Sequence, residues 1–280
     1  MKYEVLLSEL KSAFELTNSK DITKWALKSV SRFPKIGIRR LKNFGILTVF
    51  VTLGIFRETK DAISAAKEKK FSSHLKNRTS EAYNSAIGFA SRMNKTFKTF
   101  KNTFLDNPKE NGFGVLALGL GFLMGSGGLD GDGGIPDTDI GLFGIGEHRS
   151  ILTHSIIAGI IFEGSILALA DFADIICEKI PKEERSEFWD KLSKVKSGIA
   201  EKLVQGTSVG IAYHLAVDAT LQPAPYKDLP FSMPMEAHQL LFALNAAIEG
   251  NDVVSKAKTV GTNIKKVFHF KKLKSSEVQS

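Results

Sequence analysis

Cysteine is almost missing from this 280-residue sequence, which contains a single one, Cys177. The chain therefore cannot form an internal disulfide, and a zinc site built on several thiolates is excluded. Any metal ion that it binds must be held by nitrogen and oxygen ligands. A reducing compartment agrees with this composition but is not required by it.

The sequence also lacks regular alternation of apolar and polar residues, and no internal repeat is visible, which argues against sheet and repeat architectures. Its first ten residues hold no long apolar run, so we expect no secretion signal there. The apolar content of 43% nevertheless excludes a disordered chain. Because apolar residues recur every three or four positions, the sequence predicts an all-α fold, a multi-helix bundle.

Charge is unevenly distributed along the chain. Residues 1–110 contain 22 Lys and Arg against 10 Asp and Glu, residues 111–254 contain 9 against 19, and residues 255–280 contain 7 against 1. Basic ends therefore flank an acidic middle. Such ends suit an anionic surface, either nucleic acid or the phospholipid headgroups of a cytoplasmic leaflet. A basic face that only keeps the protein soluble is the equally open alternative.

Periodicity and helix-breaking residues predict three regions. A basic amphipathic helical region covers residues 1–110, with helices over 3–16, 22–30, 46–66 and 80–104. A helical domain over residues 111–250 contains the candidate metal ligands, and a basic tail covers residues 251–280. A break is expected at residues 106–112, where proline, asparagine and glycine interrupt the helical period.

Within the middle region we expect an apolar helix to about Met124 and then an extended, closely packed, glycine- and aspartate-rich loop through Gly146. The next helix is predicted to be capped by Ser150, to begin at residue 151 and to stop before Pro181. A charged helix over residues 183–196, a helix that carries His214, and a last helix over 235–249 follow.

No apolar run defines a membrane span by itself. Residues 44–56 and 113–128 are short for a span. Residues 151–180 are long enough, but they carry His154, Glu163, Asp171 and Asp174, which are costly in lipid unless they face protein or water. We therefore expect a peripheral or shallowly inserted protein on the cytoplasmic side of a membrane. A cytoplasmic protein and a protein with a few true spans are the alternatives.

His214 and Asp218 stand four residues apart in a segment predicted to be helical, so both side chains leave one face and can reach the same ion. Taken alone, such a pair is more often a hydrogen bond on a helix surface. Here the flanking residues 209–219 are apolar on every side and offer no solvated face. That setting favours a ligand pair.

Two further imidazoles, His148 and His154, lie near the start of the helix predicted over residues 151–180. If His148 lies in the loop and His154 in the first helical turn, both converge where a helix N-terminus also favours an anion such as phosphate. Arg149 is placed to bind that anion or to brace the site. Thr153 and Ser155 are interpreted as capping residues rather than catalytic hydroxyls.

Asp137 and Asp139 follow Pro136 in the glycine-rich loop and are candidate ligands, although such loops also occur as plain turns. The preceding residues 130–134, Asp-Gly-Asp-Gly-Gly, resemble the start of a calcium loop. The later oxygen ligands and the closing glutamate of an EF-hand do not follow, which counts against calcium. Further candidates for a ligand or general base are Glu147, Glu163 and His238.

Three clusters together carry a family resemblance: Pro136-Asp-Thr-Asp139, His148-Arg149 with Thr153-His-Ser155, and His214 with Asp218. Their order resembles the bacterial YdjM-like family of membrane-associated metal-dependent hydrolases, itself similar to the zinc-dependent phospholipase C group. The resemblance covers residues 113–225, less than half of the chain. The basic helices before residue 110 are not part of the pattern, and the family's strong spans are diluted here. The resemblance implies an all-helical domain whose metal ligands are Asp137, Asp139, His148, His154, His214 and Asp218.

The leading hypothesis is a hydrolase that uses one or more divalent ions, zinc first and manganese next, with Arg149 and Glu147 as catalytic residues. The expected substrate is a phosphoester, either a membrane phospholipid or another small or membrane-associated molecule, brought near by basic helices at an anionic membrane surface. One alternative is a non-enzymatic membrane-inserting or membrane-perturbing protein with structural or pH-sensitive histidines. A metal-dependent nuclease is another, although we find no aromatic platform for stacking bases.

Overall fold

The computed structural model of the protein describes residues 3–81, 108–128, 133–144 and 148–253, and every regular element in these ranges is helical. The predicted all-α fold, a multi-helix bundle, is confirmed. In chain order the helices are α1 (Tyr3–Leu16), α2 (Ser19–Val30), α3 (Arg32–Lys67), α4 (residues 71–81), α5 (Pro108–Ser126), α6 (Thr138–Phe143), α7 (Ile156–Lys179), α8 (Glu187–Thr220) and α9 (residues 235–253).

In the basic region, the observed helices agree only in part with the predicted ones. The bounds of α1 are confirmed, and those of α2 agree closely. The prediction that the third helix begins at residue 46 is wrong, because α3 begins at Arg32. Pro34 does not prevent this, since it falls in the first turn, where amide groups have no intrahelical partner. The helix predicted over residues 80–104 lies almost entirely outside the described residues.

Two predictions for the acidic middle are wrong. Residues 183–196 do not form a separate helix, because α8 runs without a break from Glu187 to Thr220. Gly198 lies inside it, and one glycine costs a helix only about 1 kcal/mol. The loop expected to stay extended through Gly146 contains the short helix α6.

The start of α7 also differs from its prediction. Its N-cap is Ser155 rather than Ser150, and the Ser155 hydroxyl accepts a hydrogen bond from the Ile157 amide at 3.1 Å. The interpretation of Ser155 as a capping residue is therefore confirmed. His154 precedes the helix and lies in the turn that leads to it, and the helix ends at Lys179, before Pro181, as predicted.

The chain divides into two compact units, one formed by Met1–Asn43 with Leu116–Ser280 and the other by Phe44–Val115. In the second unit, Arg78 of α4 ties that helix to α3, with guanidinium-to-carboxylate distances of 2.8 Å to Glu58 and 3.2 Å to Asp61. The predicted regions 1–110, 111–250 and 251–280 stay predictions.

In the first unit, α7 packs against α1, α2 and α8. Ile211, Leu215 and Phe242 are fully buried in the cluster that surrounds α8. Each such side chain contributes about 1.5–3 kcal/mol by leaving water. Near the beginning of α8, Glu9 of α1 accepts hydrogen bonds from the Ser186 hydroxyl and the Trp189 indole, at 2.9 and 3.0 Å.

Helices α5 and α8 approach each other so closely that the contact leaves no room for side chains. A Cβ added at Gly125 would lie 2.3 Å from the Thr207 carbonyl oxygen, and one added at Gly210 would lie 2.3 Å from the Phe122 carbonyl oxygen. The end of α5 therefore reaches the middle of α8. Glycine occupies four positions in this contact: Gly121, Gly125, Gly206 and Gly210.

A buried ionic cluster lies beside the N-terminus of α7. Arg40 of α3 and Glu249 of α9 are both fully buried and form an ion pair. Arg40 also lies 3.1 Å from Glu163 of α7 and 3.4 Å from the Ile156 carbonyl oxygen. Gly159 of α7 makes space for the pair, since a Cβ there would lie 2.1 Å from the Arg40 guanidinium.

Among the described residues, α7 is the one helix long and apolar enough to cross a bilayer. A core helix of a soluble protein meets the same two criteria, and α7 carries the buried, ion-paired Glu163. The length and composition of α7 agree with membrane association but do not identify a side of the membrane.

Candidate metal centre

The glycine-rich loop places Asp137 at the start of α6. Gly133 and Gly134 have φ angles of 92° and 76°, in the left-handed region that favours glycine. A Cβ on Gly134 would lie 2.5 Å from the Gly127 nitrogen, so the loop packs directly on the chain that leaves α5. The Gly133 amide donates to Asp137 Oδ2, and Asp137 Oδ1 remains buried beside two histidines.

Asp139, in the first turn of α6, is fully buried and holds the segment that precedes α7. Its Oδ2 accepts hydrogen bonds from the Ser150 amide and the Thr153 hydroxyl, each at 2.9 Å. The same oxygen lies 3.2 Å from His154 Nδ1. A carboxylate in this position keeps the proton on Nδ1 and leaves the lone pair on Nε2.

His214 is oriented in the same way by a backbone carbonyl. It is buried in α8, and its Nδ1 lies 3.4 Å from the Ser126 oxygen at the end of α5. Donation from Nδ1 to this oxygen leaves Nε2 as the nitrogen with a free lone pair. The close glycine contact between α5 and α8 is what brings Ser126 within reach.

Asp218 lies one turn after His214, in the last turn of α8, where the helix dipole disfavours a negative charge. Arg149 compensates for this charge, since its Nε and Nη2 donate to Asp218 Oδ1 at 3.0 and 2.8 Å. Asp218 Oδ2 is left beside the histidines. Arg149 itself has a φ of 72°, a left-handed conformation that is uncommon outside glycine.

Four side-chain atoms from these residues surround one small space. Asp137 Oδ1 lies 3.3 Å from His154 Nε2 and 3.6 Å from His214 Nε2. Asp218 Oδ2 lies 3.7 and 3.4 Å from the same two nitrogens. Ligands at about 2.0–2.1 Å from a tetrahedral zinc ion are separated from one another by about 3.3 Å. The four atoms therefore have nearly the spacing of ligands around one ion.

Within the described ranges, three of these four atoms are buried and take part in no hydrogen bond: Asp137 Oδ1, His154 Nε2 and Asp218 Oδ2. A buried polar atom without a partner costs about 1–3 kcal/mol. One divalent cation satisfies all three, because carboxylate oxygen and imidazole nitrogen are ordinary ligands of such ions. The residues present therefore fit a metal ion.

A second group of candidate ligands shares Asp137 and His154 with the first and adds His148. His148 Nδ1 lies 3.4 Å from Asp137 Oδ1 and 3.3 Å from Asp139 Oδ1. Its side chain is 23% exposed, whereas those of His154 and His214 are buried. His148 thus marks the side of the centre that solvent reaches.

The electrostatics of the centre favour a cation. Burial alone would raise the pKa of Asp137, but His154 and His214 hold it below its ordinary value. Burial also opposes ionisation of Asp218, yet His214 and Arg149 lower the pKa of this carboxyl group. For His214 burial would lower the pKa, and the neighbouring carboxylates of Asp218 and Asp137 raise it.

Asp139 adds a third negative charge to the centre. Its burial would raise its pKa, but the Ser150 amide and the charge of His154 outweigh burial and lower it. Three ionised carboxylates therefore converge on the centre, where Arg149 is the permanent positive charge. Before an ion binds, the centre carries a negative charge when its histidines are neutral.

The structure brings the predicted ligand residues into one cluster, and their binding of a metal stays a prediction. Asp139 Oδ2 is already engaged by the Ser150 amide and the Thr153 hydroxyl, so Asp139 is placed to orient His154. Arg149 contacts Asp218 directly, whereas Glu147 lies outside the described residues, as do residues 130–132 of the calcium-like sequence.

The remaining candidates contact other residues. Glu163 belongs to the ionic cluster beside Arg40, and His238 Nδ1 accepts a hydrogen bond from the Tyr226 amide at 3.2 Å. Thr153 donates to Asp139, so its interpretation as a cap of α7 is wrong.

Three residues that contact the candidate ligands or the chain next to them were not identifiable from the sequence. Ser126 acts through its backbone oxygen, which no side-chain pattern encodes. Tyr226 and Asp228 lie in a proline-rich segment, where polar and aromatic residues ordinarily indicate only a loop. For Tyr226 and Asp228, the one available indication of a structural role was the group of prolines that follows α8.

No protein-family model, curated protein or solved structure matches this chain. The fold and the site therefore define its class: an all-α protein in which buried His and Asp side chains can hold a metal ion.

Proposed function

We propose that this protein is a metal-dependent hydrolase that cleaves a phosphoester, with a membrane phospholipid or another membrane-associated molecule as its substrate. The observation that carries the proposal is the convergence of two carboxylate oxygens and two imidazole nitrogens, with each oxygen 3.3–3.7 Å from each nitrogen. Three of these atoms are buried without hydrogen-bond partners, which would be costly for a purely structural cluster.

Asp137, His154, His214 and Asp218 would hold the first ion. A set of two nitrogen and two oxygen ligands suits zinc first and manganese next. Such an ion polarises a phosphoryl oxygen and lowers the pKa of a coordinated water molecule towards neutrality. Asp139 and the Ser126 carbonyl oxygen keep the two imidazoles in the tautomer that binds an ion.

His148 and Arg149 line the more accessible part of the centre, with side chains 23% and 14% exposed. His148 is available to a second ion that shares Asp137, or to proton transfer at its Nδ1. Arg149 supplies the positive charge that favours an anionic phosphoester. Glu147, adjacent in sequence, stays a candidate general base.

A membrane partner is supported by the exposed apolar face of α5. Leu116, Leu120 and Leu123 are 62%, 57% and 52% exposed and share one helix face. The opposite face carries the glycines that pack on α8. Residues 113–128 contain no charged side chain, which is unusual for a helix face in water. An anionic bilayer would cover this face and attract the basic ends of the chain.

Elemental analysis of the purified protein tests the metal centre. We expect bound zinc or manganese in the wild type and its loss in His214→Ala and Asp137→Ala. His74→Ala serves as the matched control, since His74 lies in α4, in the other compact unit. Full metal content in both folded site variants would rule out these ligands.

A hydrolysis assay then separates the functions. We expect cleavage of a chromogenic phosphodiester and of phospholipid in anionic vesicles, both abolished by a chelator and restored by added metal. Vesicle leakage that a chelator does not change would instead support the membrane-perturbing alternative, which the exposed leucines of α5 favour. Cleavage of nucleic acid but not phospholipid would support the nuclease alternative.

A further inference from the structure

The chain that leaves α8 turns back over the segment that carries His148, Arg149 and His154. Residues 222–228 of this proline-rich chain form what we call the strap. Its backbone contacts begin at Gln222, whose carbonyl oxygen accepts a hydrogen bond from Arg149 Nη2 at 3.1 Å. The strap also reaches the ligand segment through Tyr226, Lys227 and Asp228.

Asp228 fixes the backbone immediately after Arg149. Both of its carboxylate oxygens accept hydrogen bonds from the Ile151 amide, at 3.0 and 2.9 Å. The Lys227 amide donates to the Arg149 carbonyl oxygen at 3.4 Å. A non-glycine residue with a φ of 72° persists only where its surroundings fix it, and these contacts supply that constraint.

Tyr226 fixes the backbone of His154. Its hydroxyl donates to the His154 carbonyl oxygen at 2.7 Å, and the residue is buried. Its ring stacks on Phe242 with a centroid distance of 4.2 Å and an interplanar angle of 12°. Phe242 in turn meets the His154 imidazole edge-on, with a centroid distance of 6.2 Å. The stacking of Tyr226 on Phe242 therefore directs the Tyr226 hydroxyl towards the His154 carbonyl oxygen.

We propose that Tyr226 and Asp228 are positioning residues of the metal centre, which hold His154 and Arg149 so that His154 Nε2 and Asp218 Oδ2 meet the ion. Neither residue touches the ion or substrate. Asp228 acts through the Ile151 amide, two residues after Arg149, whose side chain binds Asp218 Oδ1. Tyr226 acts through the backbone of His154. The inference rests on the metal centre of the proposed function but not on the reaction.

Cobalt(II) is a suitable probe, because its visible absorption reports the number and arrangement of its ligands as well as its occupancy. The experiment compares Tyr226→Phe, which keeps the stacked ring and loses the hydroxyl, with Asp228→Ala, which loses both acceptor oxygens. We expect about a tenfold or greater loss of cobalt affinity in each, together with an altered spectrum. Asp228→Asn retains one acceptor oxygen for the Ile151 amide and should recover part of the affinity.

Glu236→Ala is the matched control, since Glu236 is an exposed carboxylate close to the same prolines. It should bind cobalt like the wild type and give the same spectrum. Wild-type affinity and spectrum in both Tyr226→Phe and Asp228→Ala would overturn the positioning role while leaving the metal centre intact. A wild-type protein that binds no cobalt would overturn the centre and the positioning role together.

Discussion

Arg149 donates two hydrogen bonds to a single oxygen of Asp218, Oδ1, while Asp218 Oδ2 stays beside His154 and His214. The two oxygens of one carboxylate thus have separate partners. The guanidinium offsets the charge that Asp218 places at the C-terminus of α8. It also fixes the direction in which the second oxygen points, which is the direction that a metal ligand requires.

Replacement of Arg149 should weaken metal binding more than it weakens the fold. In Arg149→Ala the Asp218 carboxylate loses both guanidinium hydrogen bonds and can rotate away from its present orientation. We therefore expect about a 10–100-fold loss of zinc affinity. Arg149→Lys should recover little, because an ammonium group cannot reproduce the fork of the guanidinium. Isothermal titration with zinc measures both. Arg57→Ala, at an exposed position of α3, is the control and should leave the affinity unchanged.

Replacement of Asp139 tests the orientation of His154. Asp139→Asn keeps an oxygen that can accept from the Ser150 amide but loses the charge beside His154 Nδ1. The tautomer of His154 with its proton on Nδ1 is then less favoured, and zinc affinity should fall about 10–100-fold. Competition with a zinc-binding dye measures the change. Unaltered affinity in a folded Asp139→Asn protein would show that the carboxylate does not orient the histidine.

The glycine contact between α5 and α8 makes a prediction about stability. In Gly210→Ala the added methyl group would meet the Phe122 carbonyl oxygen and the Ser126 nitrogen at 2.3 and 2.8 Å. The helices must separate, and we expect a loss of about 1–3 kcal/mol in the free energy of unfolding. Because Ser126 moves with α5, the metal affinity should fall as well.

Gly198→Ala provides the comparison within the same helix, since no atom of the described residues, the adjoining helix backbone aside, lies within 4 Å of a Cβ there. Alanine should stabilise α8 at that position by up to about 1 kcal/mol. Urea unfolding of both variants measures the difference. Equal effects of the two substitutions would mean that the close contact does not limit the fold.

Metal binding should become stronger as pH rises through the raised pKa of His214. Burial alone would lower this pKa, but Asp218 and Asp137 raise it, so His214 keeps its proton above the ordinary range near 6.5. The ion needs the unprotonated Nε2 and must displace that proton. In the metal-free protein the protonated histidine contributes stability below its unfolded pKa, and this contribution is lost as pH rises through the folded value.

The stabilisation that zinc confers should therefore increase from about pH 5.5 to 8, a range that begins below the ordinary histidine pKa and extends above it. Differential scanning fluorimetry with and without zinc follows the increase. Calorimetry in two buffers of different ionisation enthalpy should detect proton release on binding at the lower pH. A zinc-induced shift that stays constant over this range would show that no site histidine titrates against the ion.

The sequence predicted the fold class, and the grouping of the candidate ligand residues, better than it predicted helix boundaries. Spacing places His214 and Asp218 on one helix face whatever the exact ends of α8 are, so that pair required only the helical period. The start of α7 depended on a choice between Ser150 and Ser155 as the cap, and both residues are good caps. The Ser150 amide donates to the Asp139 carboxylate, and this hydrogen bond decides which serine is the cap. It joins residues eleven positions apart, so the local sequence does not reveal it.

Contacts made by backbone atoms were beyond prediction. The Ser126 carbonyl oxygen orients His214 because four glycines let two helices meet, and no property of Ser126 itself indicates this role. The basic residues Arg39 and Arg40 presented a similar difficulty. They lie between the helices predicted over residues 22–30 and 46–66, and Arg40 is fully buried against Glu249, which lies 209 residues later in the chain.

The pairing of Arg40 with Glu249 over Gly159 has an evolutionary consequence. A side chain at position 159 would enter the space of the ion pair, and loss of either charge would remove this pairing from a buried group. These three positions are therefore expected to diverge together, so that descendants of this sequence either keep the whole triplet or exchange all of it for a differently filled interior.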